Sequence, residues 1–200
     1  MIDMKQKEKK MNKIPVIALF GKSGAGKDYY QKWLVQTFPG LNPIISCTTR
    51  PPREGEQDKV DYYFLSEEEF IVKVANLEML EATVFKGWGY GTLIEALKKD
   101  TINVGVFNPE GIECLLADSR LEVLPIYIYA DDKVRLIRAL NREAHPNCAE
   151  ICRRYEADER DFRNIDFEYY TFNNTNEPSE GIKKQSFGFF IELLSKRINL

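Results

Sequence analysis

A chain of 200 residues, 44% hydrophobic and 30% charged, is long enough to bury one core and has the composition of a folded globular protein. With 31 acidic and 28 basic side chains the net charge is −3, so no basic excess exists to neutralise phosphates, which argues against a general nucleic-acid binder. No apolar run approaches the roughly 20 residues that span a bilayer, and the polar leader 1–13 lacks the apolar stretch that export requires. No membrane partner is expected: the reading is a cytoplasmic monomer or homodimer with a disordered leader. Cys47, Cys114, Cys148 and Cys152 follow no metal or disulfide spacing and read as reduced structural thiols.

Residues 14–20 (IPVIALF) form a short apolar run of the buried-strand type. The glycine-rich 21–27 follows, then a helix with Trp33, Leu34 and Phe38 turned inward, stopped at Pro39 and Gly40. A second strand is expected over 43–47, leading into a polar stretch of loop and short strand. Residues 67–76 read as a helix with Ser66 as N-cap and acidic residues in its first turn. Residues 77–85 and the turn-rich GWGYG suggest a hairpin or meander. A short helix over 93–99, a buried strand over 102–107, a helix over 110–117 and a strand over 121–129 come next. Two charged helices are expected over 132–143 and 148–163, then a strand over 167–172 and an amphipathic helix over 181–197. Strands alternating with helices predict an α/β fold, a doubly wound parallel sheet covered on both faces. The 43–92 segment breaks that alternation and reads as a small β-rich insertion.

Gly21-Lys22-Ser23-Gly24-Ala25-Gly26-Lys27 matches G-x-x-x-x-G-K between a predicted strand and a predicted helix. Gly21, Gly24 and Gly26 let the backbone curl so that the N–H groups around Ser23 and Ala25 point at phosphate oxygens. The following helix adds its positive end, and Lys27 supplies a charge for the β- and γ-phosphates of ATP. A Ser or Thr normally follows this lysine and contacts Mg²⁺. Here Asp28 stands there, either as a helix cap or as a carboxylate ligand for the metal.

The stretch 46–56, SCTTRPPREGE, places Arg50 and Arg53 three apart on a proline-stiffened loop, with Tyr62 in the VDYYF that follows. Fixed guanidinium forks suit a phosphate dianion, although a solvated charged loop would look similar. These letters match the S-x-T-T-R-x-P-R-x-G-E and D-Y-x-F of the guanylate kinase family, and the chain resembles that family over roughly residues 14–195. The resemblance implies a P-loop NTPase-type core (14–42, 93–130 and 165–200), a lobe for the acceptor nucleotide (43–92) and a helical lid (131–164). It implies that Arg50, Arg53 and Tyr62 hold the phosphate of GMP, joined by Tyr90 of the Tyr90-Gly91-Thr92 turn. Ser46, Glu81 and Thr92 would face guanine, whose N1–H and N2–H donors a carboxylate accepts. Adenine would leave Glu81 unpaired. Arg138 and Arg142 match the lid's R-x-x-x-R, Arg153 or Arg154 (preferably Arg154) its third arginine, and Asn173 an asparagine near the adenine of ATP. Such arginines would neutralise charge on the transferring phosphoryl group. The lone His145 falls in a lid turn and is given no role.

The match weakens at the family's D-x-D, which is Val106-Phe107-Asn108 here. Asn108 can still accept from guanine N2, but Val106 cannot orient a metal-bound water, so the carboxylate is expected to have moved to Asp28. Three functions follow. The favoured one is ATP-dependent phosphorylation of GMP or dGMP. The second is a broader deoxynucleoside monophosphate kinase of the kind phages carry with Asp after the loop lysine. The third is a binding module like the guanylate-kinase-like domains of scaffold proteins, which lack a working phosphate loop.

Overall fold

The computed structural model describes residues 13–52, 55–85, 87–142 and 144–198. The leader, apart from Lys13, lies outside these residues, as do Arg53 and the expected last residue of the first lid helix. Strand β1 (Ile14–Phe20) sits at the centre of the main sheet, with Val16 to Phe20 fully buried. On one side it pairs with β7 (Asn103–Val106), which carries β2 (Asn42–Pro43). On the other it pairs with β8 (Leu121–Tyr129), which carries β9 (Tyr170–Asn173). Every pairing in this sheet is parallel. The strand order therefore reverses at β1, and a crevice opens beyond its carboxyl end, where open α/β sheets place ligands.

Helix α1 (Lys27–Thr37) buries Tyr30, Trp33 and Leu34, one stripe at helical spacing, against one face of the sheet. On that face α6 (Glu180–Ile198) adds Phe187, Phe190 and Leu194. The other face is covered by α3 (Pro109–Ala117) through Ile112 and Leu115, together with an aromatic cluster of Phe20, Tyr127, Phe162 and Phe167. A second sheet, ordered β4 (Tyr63–Phe64), β3 (Cys47–Thr48), β6 (Trp88–Leu93) and β5 (Met79–Phe85), stands outside this frame. Helix α2 (Glu67–Ala75) packs on it through Phe70. Ser66 caps α2 as expected, within a full capping box with Glu69. Two helices, α4 (Asp132–Leu140) and α5 (Cys148–Asp161), connect β8 to β9. Among the described residues no helix is long and apolar enough to cross a membrane.

Four expected elements differ. The strand over 43–47 is two, because 42–43 pairs with β7 while 47–48 pairs with β6, so the chain changes sheets between them. The helix over 93–99 is a 3-10 turn at Ile94–Ala96. Buried asparagines take its backbone groups: Asn42 Nδ2 donates to the Ala96 carbonyl at 2.9 Å and Lys98 N–H donates to Asn103 Oδ1 at 2.8 Å. The strand over 167–172 begins at Tyr170, because Phe167 and Tyr169 leave the ladder to pack on Phe20, with ring centroids 5.5 and 5.3 Å away. Helix α4 ends at Leu140 with Asn141 as C-cap, so Arg142 lies beyond it and does not share a helix face with Arg138.

Candidate active site

The loop between β1 and α1 is the centre of the site. Gly24 has φ +78°, a left-handed conformation that L side chains rarely adopt, and a Cβ there would stand 2.6 Å from the Arg135 carbonyl oxygen. Gly26, at φ 103°, is the N-cap of α1, so the open N–H groups of the first turn face the crevice. Lys27 Nζ donates to the Gly21 carbonyl at 2.7 Å and the Lys22 carbonyl at 3.3 Å. Burial pushes this lysine below the ordinary range, while the carboxylates of Asp28 and Asp158 pull it back.

Asp28 is exposed in the first turn of α1 and accepts no hydrogen bond among the described residues. It is therefore no cap; that position is Gly26. Its charge reaches both Lys27 and Tyr62, whose hydroxyl is pushed up by burial first and by Asp28 second. A free carboxylate thus lies between the phosphate loop and the β-rich lobe. Among the described residues no group of three or more His, Cys, Asp or Glu could hold a metal. The exposed Asp28 carboxylate in the first turn after the loop has the chemistry that Mg²⁺ takes, since that ion keeps several waters and binds through one or two carboxylates plus substrate phosphates.

The lobe faces this loop. Thr48 Oγ1 donates to the Gly89 carbonyl at 2.9 Å, and Gly89 N–H donates to Thr49 Oγ1 at 2.8 Å, so the paired threonines fix β3 against β6. The Thr48 hydroxyl also accepts from Arg50 N–H at 3.2 Å. From that anchored turn the Arg50 guanidinium lies 5.6 Å from the Tyr62 ring centroid, and Tyr62 meets Tyr90 edge-on at 6.4 Å. Arg50 Nη2 donates to both oxygens of Glu56, at 3.0 and 2.9 Å, and Nη1 to the Pro51 carbonyl at 2.6 Å. Ser46 uses its backbone carbonyl to accept from Tyr63 N–H at 2.9 Å.

Deeper in the cleft, burial raises the pKa of the Glu81 carboxyl, with the Glu110 carboxylate adding to the shift. The Thr92 hydroxyl is close enough to lower Glu81 part of the way back, yet it makes no hydrogen bond of full geometry and is completely buried. A fully buried hydroxyl without a hydrogen-bond partner among the described residues, beside a half-buried carboxyl on the neighbouring strand, carries a desolvation cost that a polar ligand would relieve. Asn108 Oδ1 caps α3, accepting from Gly111 N–H at 2.8 Å, so one of its lone pairs is already used. A Cβ on Gly111 would be 3.7 Å from the Glu81 carboxyl carbon, which puts Glu81 beside the start of α3.

The arginines of α4, α5 and the turn between them divide. Arg138 Nη2 donates to the Asn174 carbonyl at 2.9 Å, and its Nη1 is buried without a partner. It lines cavities of about 630 and 270 Å³ that run along Thr175, Glu177, Tyr29 and Gly26. Arg153 and Arg154 both pair with Glu150. Arg154 carries its charge to Lys27, as Arg135 does. Arg142 is exposed in the turn after α4.

Three residues at the loop were not singled out by sequence. Asn174 grips it: Asn174 Nδ2 donates to the Ala25 carbonyl at 2.8 Å, and Tyr30 Oη donates to Asn174 Oδ1 at 2.9 Å. Asn173 is exposed and accepts from Thr175 N–H at 2.9 Å. Asp158 and Arg135 hold Ser23, so its N–H is spent on the Asp158 carboxylate and not, as expected, aimed at a phosphate. No local motif marks any of the three.

Similarities to known proteins follow the same outline. The profile of the guanylate kinase family matches residues 13–184. A guanylate kinase of Chlorobium luteolum is 37% identical over 108 residues, 50% of this chain and 55% of that protein. One of a Synechococcus strain is 48% identical over 77 residues, 38% of this chain and 42% of that protein. The chain spans about half the length of the curated relatives it matches. The crystal structure of a guanylate kinase from Anaplasma phagocytophilum superposes with a TM-score of 0.65 at 19% identity, over 92% of this chain and 89% of that one, a likeness of fold. The main sheet, the loop after β1 and the separate lobe are thus those of a P-loop α/β fold, and the chain belongs to the guanylate kinase family.

Proposed function

We propose that the chain transfers the γ-phosphoryl group of ATP to GMP or dGMP. The observation that carries this reading is the half-buried Glu81, paired across β5 and β6 with the fully buried Thr92 and set beside the start of α3. Guanine offers two adjacent donors to the carboxylate, while its O6 suits the hydroxyl of Ser46. Arg50, Tyr62 and Tyr90 would take the acceptor phosphate, for which Arg50 exchanges its contacts with Glu56. Arg53 would join them; it lies outside the described residues.

In this reading the loop N–H groups and Lys27 bind the ATP phosphates, Lys27 leaving the carbonyls of Gly21 and Lys22 to do so. Asp28 would hold Mg²⁺, which supplies charge neutralisation on the phosphates. Arg138 lies on the cavity beside Gly26 and Tyr30, a place that suits the adenosine end of ATP, with Asn173 as a peripheral contact. Arg154 approaches the loop lysine, and Arg142 would reach the site only when the lid closes. No general base is required, because the attacking phosphate oxygen is already anionic. Exclusion of water falls to the lid. The partners are then nucleotides alone, in the cytoplasm, with the chain acting as a monomer or homodimer.

Coupled ADP release measured with GMP, dGMP, AMP, CMP and dTMP tests this. Turnover confined to guanine acceptors supports the proposal, and no turnover with any of them sinks it. The cap made by Asn108 Oδ1 leaves one guanine acceptor fewer than an unengaged side chain would, which favours a second reading, a broader deoxynucleoside monophosphate kinase. Comparable rates with several bases would select it.

A further inference from the structure

Both peptide groups that flank Ser23 are held from outside the loop. Ser23 N–H donates to Asp158 Oδ2 at 2.8 Å, and its hydroxyl to Oδ1 at 3.2 Å. Its carbonyl accepts from Arg135 Nη1 at 3.1 Å, and the same nitrogen donates to Asp158 Oδ2 at 2.9 Å. One ion pair therefore offers an acceptor to the N–H and a donor to the C=O of a single residue, as a neighbouring strand would. Beside it Lys22 pairs with Glu159.

Arg135 is only 1% exposed and Asp158 8%. The rest of the guanidinium is spoken for: Nε and Nη2 donate to Asp132 Oδ1 at 3.3 and 2.8 Å, and its face lies 4.6 Å from the Tyr155 ring centroid. The Arg135 backbone also limits the loop, since its carbonyl is what a side chain on Gly24 would strike. Arg135 lies in the first turn of α4 and Asp158 in the last turn of α5. These are the two roots of the lid, and the ion pair ties both to the loop.

Burying an ion pair this far rarely adds net stability over apolar packing of the same volume, because desolvation offsets the attraction. What it adds is a fixed orientation at three hydrogen-bonding atoms of Ser23. We propose that Arg135 and Asp158 are positioning residues for the phosphate loop: they lock the peptide planes at Ser23, so the N–H groups from Gly24 to Lys27 are aimed before a nucleotide binds. The inference rests on the loop being the ATP site. Preorganisation of this kind appears in affinity, because a flexible loop must be ordered by the ligand itself.

The test uses the full chain as wild type, Asp158→Asn, Arg135→Lys and the double variant. ADP affinity is measured by calorimetry, and initial rates with ATP and GMP each varied. Both single variants keep a polar side chain of similar size but break the charged fork. Each is expected to raise the ADP Kd and the ATP KM about tenfold, with the GMP KM changed less than about twofold. The double variant should be no worse than the weaker single, the mark of one coupled unit. Amide exchange at Gly24 to Lys27 should quicken in all three. Variants that melt at lower temperature yet keep wild-type ADP affinity and ATP KM would overturn the proposal, leaving the pair only structural. If Arg135→Lys does not fold, Asp158→Asn decides alone. Wild type that binds no ADP would defeat the ATP-site reading itself, a result separate from wild type that binds ADP and variants that bind it equally.

Discussion

Glu81 meets two opposed demands. Burial raises its pKa above the ordinary 4.5, so an ionised Glu81 costs folding free energy in the ligand-free chain. With the folded-state value above the unfolded one, the carboxyl is protonated in both states below pH 4.5 and no penalty exists there. As pH rises through the folded-state value the penalty develops and stability is lost. Glu81→Gln removes the charge, so the melting temperature of this variant should exceed wild type at neutral pH, and the gap should close on acidification. The same change presents an amide N–H₂ to guanine donors and should lower kcat/KM for GMP by about 10²-fold or more. Melts from pH 4 to 8 and GMP kinetics read both effects; a variant that is neither more stable at neutral pH nor impaired with GMP contradicts this account. Lys27 behaves differently. Burial opposes its charge, which offsets the loss of its two loop-carbonyl contacts, so Lys27→Met should fold and lose about 10²–10³-fold in kcat.

Between elements, the junction of β9 and α6 is tied to the phosphate loop by Asn174. Burial pushes the Tyr30 phenol up to about 12, so its hydroxyl stays a neutral donor to Asn174 at any working pH. Asn174→Ala strands that donor and the Ala25 carbonyl together and should cost about 1–3 kcal/mol in denaturant melts. Adding Tyr30→Phe should then recover part of the loss, a coupling of about 1 kcal/mol; strictly additive losses would mean that the two side chains do not act together. These contacts explain what the sequence could and could not disclose. The loop glycines and the Ser66 N-cap were legible because their chemistry is local, within seven residues at most. Ser23–Asp158, Arg135–Ser23 and Asn174–Ala25 join residues 135, 112 and 149 apart, and no periodicity or spacing announces such a pair. Arg153 and Arg154 are equally hard to tell apart in sequence, since both sit one turn from Glu150 and both pair with it. The end of α4 at Leu140 escaped because neither Gly nor Pro marks it.

Across the whole molecule, the two halves of the proposed reaction rest on separate apolar clusters. Phe187, fully buried, contacts the rings of Tyr30, Trp33, Phe172 and Phe190 beneath the phosphate loop. Phe70 belongs to the smaller cluster of the lobe with Cys47 and Leu93, where Gly89 admits its ring: a Cβ on Gly89 would stand 2.8 Å from it. The main sheet holds the larger core, so it sets global stability, while the lobe has few apolar contacts and can open locally at lower cost. Phe187→Ala should therefore cost about 3–5 kcal/mol of global stability and weaken every nucleotide interaction with it. Phe70→Ala should lower protection of amides in 79–93 far more than in β1 and β8, raise the GMP KM and leave ADP affinity intact. Hydrogen exchange resolved by segment, with the two affinities measured in parallel, distinguishes this from a single cooperative unit. In that case Phe70→Ala would loosen β1 as much as β6, and the affinities for ADP and GMP would fall together.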